Sequence, residues 1–291
     1  MQQIIEATLY FPQGTQVIAE SLLREHGISS FIEGSSTLTL NPEEINDIYT
    51  CYFSSEEELF SLTTFLNNHF PTKIAYKLRY IDNQDWQTSW QKHWKIEKLG
   101  NVIIVPHFLD YKQKAGEIVI TINPQMAFGT GTHETTKLCA QAIIEIFNKT
   151  PMSSFLDVGC GTGILSILAS KLGATDIAAV DIEEDIIITA KGNCQHNGVK
   201  NISFSSSSLN DLSMQPFELV CANIISSELK KLWPRIQSLV SPEGTIILSG
   251  ILKDEVEEFK THLNLNPTQE LQLNNWITLI LASKKSNSSH S

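Results

Sequence analysis

"FLDVGCGTGILS", residues 155–166, sets an apolar strand, three alternate glycines and an amphipathic helix end to end. Gly159, Gly161 and Gly163 let the backbone turn sharply and approach a ligand closely. The helix beyond them offers free N–H groups and the positive end of its dipole. A dinucleotide fingerprint needs its third glycine three residues after the second, and that position is Ile164. No G-K-[ST] follows, so the loop is not a P-loop. The spacing is G-x-G-x-G with Asp157 two residues ahead of it, and Asp181 ends the next strand in "AAVDI" (178–182). A carboxylate at the tip of the second strand suits both hydroxyls of a ribose, and a ligand without phosphate needs no lysine.

Outward from this loop the chain alternates strand and helix. "SSFLDVG" (153–159) is followed by the helical "GILSILASKLGA" (163–174), the strand "DIAAVDI" (176–182) and the helical "EEDIIITAKGNCQHNG" (183–198). "ISFSS" (202–206) is a short third strand. "FELVCANI" (217–224) is a fourth with a continuous apolar run, as in a strand buried on both faces. The helix "SSELKKLWPRIQSLV" (226–240) carries Pro234, and "TIILSGI" (245–251) is a fifth strand. After the helix "KDEVEEFKTHL" (253–263), "QELQLN" and "WITLILAS" form a hairpin about Asn274-Asn275. The pattern predicts an α/β domain over 101–291, a doubly wound sheet with an antiparallel edge hairpin. The tail "KKSNSSHS" has nothing to bury and is expected to fray.

Residues 1–82 read strand, helix, strand, strand, helix, strand, which predicts a small α+β ferredoxin-like domain. Ser54 or Ser55 is expected to cap the second helix. Between the domains, Trp86, Trp90 and Trp94 fall four residues apart, so 83–100 is read as a linker helix with an apolar seam. The strands "NVIIVPHF" (101–108) and "GEIVITINP" (116–124) follow and are expected to pair.

Composition narrows the function classes. Charged residues make up 18% and hydrophobic residues 42% of the 291, as in a globular protein. The chain opens without a signal peptide and holds no run long enough to span a bilayer, so a cytoplasmic protein without membrane attachment is expected. Five scattered cysteines without a CxxC pair argue against a disulfide framework and against a metal site. A net charge of −11 disfavours direct binding of nucleic acid and suits a basic protein partner. A monomer is expected.

A second glycine-containing stretch, "NPQMAFGTGTHETTKLC" (123–139), precedes the first strand of the sheet and is placed to arch over the ligand pocket. Read blandly it is a Gly/Thr-rich connection, with Thr135 or Thr136 capping the helix "TTKLCAQAIIEIF". That leaves Phe128 and the crowding of hydroxyls around His133 unexplained.

The glycine loop with Asp157 and Asp181 resembles the class I S-adenosylmethionine-dependent methyltransferases. A-F-G-T-G-T-H-x-T-T from Ala127 to Thr136, "LDVGCGTGILSI", "CANIIS" (221–226) and "LSGI" (248–251) together resemble the bacterial ribosomal protein L11 methyltransferase family over nearly the whole chain. The resemblance implies S-adenosylmethionine as methyl donor and no metal. It further implies transfer to lysine ε-amines, and to the N-terminal α-amine, of a basic large-subunit ribosomal protein recognised by the N-terminal domain. Thr136, Gly159, Asp181 and Asn223 would contact the donor together with Asp157, with Gly161 and Gly163 shaping the loop. Phe128, Thr132 and Thr135 would line the approach of the amine, with Asn223 beside it. "NIIS" in place of N-P-P-Y argues against planar amide or base nitrogens as acceptors. No dedicated general base is read from spacing; His133 is a candidate, with a structural role preferred. The alternatives are a class I methyltransferase with another protein or small-molecule acceptor, and a non-catalytic ribosome-assembly factor.

Overall fold

The computed structural model describes residues 3–12, 15, 18–19, 22–23, 26, 28, 32–34, 47–82, 95–123 and 133–283. The chain divides into two compact units, Met1–Trp94 and Lys95–Ser291.

In the first unit, β1 (Gln3–Phe11), β2 (Ile32–Gly34), β3 (Asp47–Phe53) and β4 (Ala75–Asp82) form an antiparallel sheet in the order β2-β3-β1-β4. That is the order of a ferredoxin-like sandwich. Alternation decides its inner face: Ile5, Ala7, Leu9 and Phe11 of β1 and Tyr49, Cys51 and Phe53 of β3 are buried. Helix α1 (Glu56–His69) covers them with Leu59, Leu62 and Leu66. Ser55 is its N-cap, accepting from the Glu58 N–H, while the Glu58 carboxylate accepts from the Ser54 N–H. This reciprocal pair closes the first turn as a capping box does.

The second unit opens with a difference from the expected linker helix. Residues 83–94 lie outside the described residues, but beyond them Glu97–Leu99 is an extended strand, β5, and not helix. It pairs antiparallel with β6 (Val102–Pro106) across a two-residue Gly100-Asn101 turn. A two-residue turn of this type favours a hairpin over continued helix. β6 then pairs in parallel with β7 (Ile118–Ile122).

The seven-stranded sheet holds β8 (Ser154–Val158), β9 (Asp176–Val180), β10 (Ile202–Ser205), β11 (Phe217–Asn223), β12 (Val240–Leu252), β13 (Gln269–Leu273) and β14 (Trp276–Ala282). Their order is β10-β9-β8-β11-β12-β14-β13, parallel except at β14, which runs antiparallel to both neighbours. The doubly wound sheet with its edge hairpin is thus as the alternation predicts. The helices are α2 (Glu134–Lys149), α3 (Ile164–Lys171), α4 (Glu184–His196), α5 (Ser226–Ser238) and α6 (Val256–Leu263). One face of the sheet packs Phe155, Leu219, Cys221 and Ile247 with Cys139 and Ile143 of α2 and Ile167 and Leu168 of α3. The other packs Leu156, Val158, Val220 and Leu248 with Leu229 and Trp233 of α5 and Phe259 of α6. Burial on both faces explains the apolar run Leu219–Ala222 of β11 and the burial of Phe155 and Leu156 on opposite faces of β8. No helix among the described residues is long and apolar enough to cross a membrane.

Candidate active site

Register fixes where the site lies. Val158 of β8 pairs with Val180 of β9 and with Ala222 of β11. The next residues along these three adjacent strands are Gly159, Asp181 and Asn223, so they line up at one end of the sheet. Asn223 in turn pairs with Ser249 of β12. This is the carboxyl end of the parallel strands on both sides of the reversal in strand order, where open α/β sheets bind ligands.

The glycine loop is not built for phosphate. A phosphate cradle needs outward N–H groups, and here they are turned inward. Gly159 and Cys160 donate to the Val180 carbonyl at 2.8 and 3.0 Å, and Gly163 donates to Cys160 at 2.8 Å. Gly161 donates to Asp181 Oδ2 at 3.1 Å, and Ser166 in α3 donates to Asp157 Oδ2 at 3.1 Å. With two carboxylates also turned toward it, the loop favours a ligand that brings hydroxyls and positive charge. Asp181 is held from both sides, since its Oδ1 accepts from the Glu183 N–H at 3.3 Å.

Asp157 is fully buried, with its Oδ2 also accepting from the Ser166 hydroxyl at 2.6 Å. Burial pushes its carboxyl up to about 7, and the nearby Asp181 charge adds to the rise, while the two Ser166 bonds oppose it. Three buried side-chain atoms among the described residues have no hydrogen-bond partner: Thr136 Oγ1, Asp157 Oδ1 and Asn223 Oδ1. Buried polar groups are normally satisfied, and an orphan costs roughly 1–3 kcal/mol. All three orphans are residues for which the sequence reading assigned ligand contacts. A ligand carrying an ammonium, a sulfonium and ribose hydroxyls supplies what they lack, so the residues fit S-adenosylmethionine.

Two glycines let the chain leaving β11 pass close against this end of the sheet. A Cβ on Gly159 (φ 72°) would come within 2.3 Å of Ile224 Cγ2. A Cβ on Gly250 (φ 86°) would come within 2.1 Å of the Ile224 carbonyl oxygen. Gly250 lies at the register break of β12, where a bulge between Leu248 and Ile251 bends the strand toward the chain leaving β11. Beside it, Ser249 and Thr278 share a buried 2.7 Å hydrogen bond between β12 and β14.

Of the residues proposed to meet the amine, Thr135 is buried in the first turn of α2 and Phe128 and Thr132 lie outside the described residues. The N-cap of α2 is His133, not Thr135 or Thr136: its Nδ1 accepts from the Thr135 N–H at 3.3 Å and lies 2.8 Å from the Thr135 hydroxyl. The ring also stands edge-on to Trp276 at 5.1 Å. The cap gives His133 a structural task at the start of α2. No cluster of His, Cys, Asp and Glu able to hold a metal occurs among the described residues. A cavity of about 370 Å³ at the opposite end of β12, lined by Trp233, Gln237, Leu265 and Thr268, includes no ionisable side chain and none of the orphaned atoms.

The sheet order and a glycine loop flanked by Asp157 and Asp181 define a class I methyltransferase domain. Comparison with known proteins narrows the class. The profile of the ribosomal protein L11 methyltransferase family (PrmA) matches residues 13–284. The ribosomal protein L11 methyltransferase of Trichlorobacter lovleyi is 35% identical over 259 residues, 83% of this chain and 84% of its own length. That of Caldanaerobacter subterraneus subsp. tengcongensis is 40% identical over 206 residues, 70% of this chain. The alignment spans 65% of that relative's length, and likewise 65% of the Acetivibrio thermocellus protein, 38% identical over 205 residues. The crystal structure of a ribosomal protein L11 methylase from Lactobacillus delbrueckii subsp. bulgaricus superposes with a TM-score of 0.60 at 31% identity, covering 66% of this chain and all of that one. The chain belongs to the ribosomal protein L11 methyltransferase family.

Proposed function

We propose that this protein transfers methyl groups from S-adenosylmethionine to amino groups of ribosomal protein L11, at lysine ε-amines and the N-terminal α-amine. The observation that carries the reading is the coincidence of the three orphaned buried atoms, on Thr136, Asp157 and Asn223, with one end of the sheet in a chain of this family. When bound, the donor supplies a methyl group already activated by its sulfonium. The chain's own residues then bind, orient and exclude water.

Asp181, braced by two backbone N–H groups, accepts the ribose hydroxyls without having to reorganise. Asp157 and Thr136 take the charged methionine end, and Gly159 lets the backbone approach the ligand. Asn223 presents its unpaired amide oxygen at the carboxyl end of β11, where it accepts a hydrogen bond from the incoming amine and orients it. A free lysine amine has a pKa near ~10.4, so at pH 7 only about one in a few thousand is neutral. Desolvation on entering the site favours the neutral, nucleophilic form. Thr135, Phe128 and Thr132 line that approach. The N-terminal unit recognises the basic ribosomal protein, and catalysis takes place in the cytoplasm.

Intact-mass spectrometry of purified L11 after incubation with this protein and S-adenosylmethionine tests the proposal. Increments of about 14 Da per methyl on lysine or the α-amine are expected. An unchanged mass with donor still bound points to another acceptor, and no donor binding at all supports a non-catalytic assembly factor.

A further inference from the structure

The glycine loop is gripped from behind by a residue far away in sequence. Asn193, in the last turn of α4, is fully buried. Its amide nitrogen donates to the Thr162 carbonyl in the glycine loop at 2.9 Å. Its amide oxygen accepts from the N–H of Asn123, just past β7, at 2.7 Å. The partners are a backbone carbonyl and a backbone N–H, so only one orientation of the side chain satisfies both. One turn earlier on the same face of α4, Ala190 packs where a Cβ on Gly163 would sit 3.2 Å from its own Cβ. α4 therefore sets the loop's height above the sheet through Ala190 and its lateral position through Asn193.

One turn later, Asn197 provides a natural contrast. Its side chain exchanges two hydrogen bonds with the backbone of Thr121, at 2.9 and 2.6 Å, as a neighbouring strand would. Asn197 grips β7 and, through a 2.8 Å bond from its amide nitrogen, the Asn193 carbonyl of its own helix, whereas the Asn193 side chain grips both the glycine loop and the chain leaving β7.

We propose that Asn193 is a positioning residue for the methyl donor, holding the Gly161–Gly163 turn in register with the start of the 123–139 segment. The inference rests on the donor-binding reading above. Asn193 touches no reacting atom, so its loss raises the donor's Kd and KM while leaving kcat at saturation within about threefold.

The test is calorimetry with S-adenosylmethionine on Asn193→Ala and Asn197→Ala, with thermal unfolding of each. N193A loses two hydrogen bonds, of which the one to the Thr162 carbonyl holds the glycine loop, and a lost bond of that kind at a site boundary corresponds to about a tenfold change. About tenfold weaker donor binding is expected for N193A, with N197A within twofold of the unaltered protein despite a lowered Tm. If N193A does not fold, Asn193→Asp serves instead. It keeps the volume and the acceptor for Asn123 but not the donor to Thr162, and its donor affinity should recover toward acid pH as the carboxyl gains a proton. Equal weakening in the N193A and N197A variants, or unchanged affinity in N193A or N193D, would overturn the role. Absence of binding by the unaltered protein would overturn the donor reading itself and this role with it.

Discussion

Replacing Gly250 with alanine isolates the part that backbone proximity plays in the site. A Cβ there would stand 2.1 Å from the Ile224 carbonyl oxygen and 2.7 Å from its carbonyl carbon, against ordinary contact from 3.4 Å. The difference, 3.4 − 2.1, requires the Ile224 carbonyl to retreat by about 1.3 Å if β12 stays in place. Ile224 follows Asn223 directly, so the displacement passes to the residue proposed to orient the amine. A misplacement of about 1 Å in an aligned site costs on the order of a hundredfold in rate. The left-handed backbone adds roughly 1–2 kcal/mol of strain on its own. Gly100→Ala separates the two effects, since Gly100 has φ 61° and nothing within 4 Å of its virtual Cβ. Both variants should lose a few degrees of Tm at about 2–4 °C per kcal/mol. Only Gly250→Ala should also lose about a hundredfold in kcat/KM for methyl transfer to L11. Activity within threefold of the Gly100→Ala variant would refute the reasoning, because the Ile224 carbonyl would then have moved without consequence for Asn223.

Two further outcomes follow from the carboxylates. Asp157 is raised from 3.8 to about 7 in the folded protein, so between those values the native state holds a proton that the unfolded chain has released. Its contribution to stability therefore falls as pH rises from about 4 to about 7 and levels off above, amounting to about 4 kcal/mol at 1.36 kcal/mol per unit. Asp157→Asn should flatten that part of a Tm-against-pH profile and weaken donor binding, and an unchanged slope would show that burial does not hold the proton. Asp181→Ala should weaken donor binding by at least about tenfold, the loss of a charge-assisted hydrogen bond, while unfolding calorimetry shows a smaller change because the carboxylate is partly exposed.

The site was legible in the sequence where its logic is local. Strand, glycine loop and helix sit within twelve residues, and Asp181 and Asn223 end strands whose apolar runs announce them, so register alone brings them level. What could not be read was the contact between distant backbones. Gly250 is glycine because the chain 26 positions earlier passes against it, and nothing in "LSGI" states that distance. Asn193 meets Asn123 across 70 residues, and within its own helix it reads as one more polar position. Ser166, partner of the buried Asp157, lies nine residues away in the following helix, and nothing in the local pattern marks it as a partner. Capping preference pointed to Thr135 and Thr136, but His133 one step earlier supplies an acceptor of the right reach. β5 falls inside the expected linker helix because that range runs on to Gly100, although the tryptophan period ends at Trp94 and position 98 is a lysine.

Asn193 of α4 and the helix's C-cap, Asn197, bear on the order in which the molecule assembles. The three strands β5, β6 and β7 make their own small sheet, packed on α2 and α3 through Val102, Ile104, Ile120 and Ile122 and bonded at Thr121 and Asn123 by side chains 76 and 70 residues further along. Those bonds cannot form until α4 has formed, so the chain must close a long loop before they reward it. The small sheet therefore acquires its last fastening, at Thr121 and Asn123, only when α4 and its cap are in place. Amides of β6 and β7 should form a separate cooperative unit in hydrogen exchange, opening at a lower free energy than β8 and β11. Once α4 is in place the fastening of the small sheet is complete, while the other side of the site still waits for β11 and Asn223.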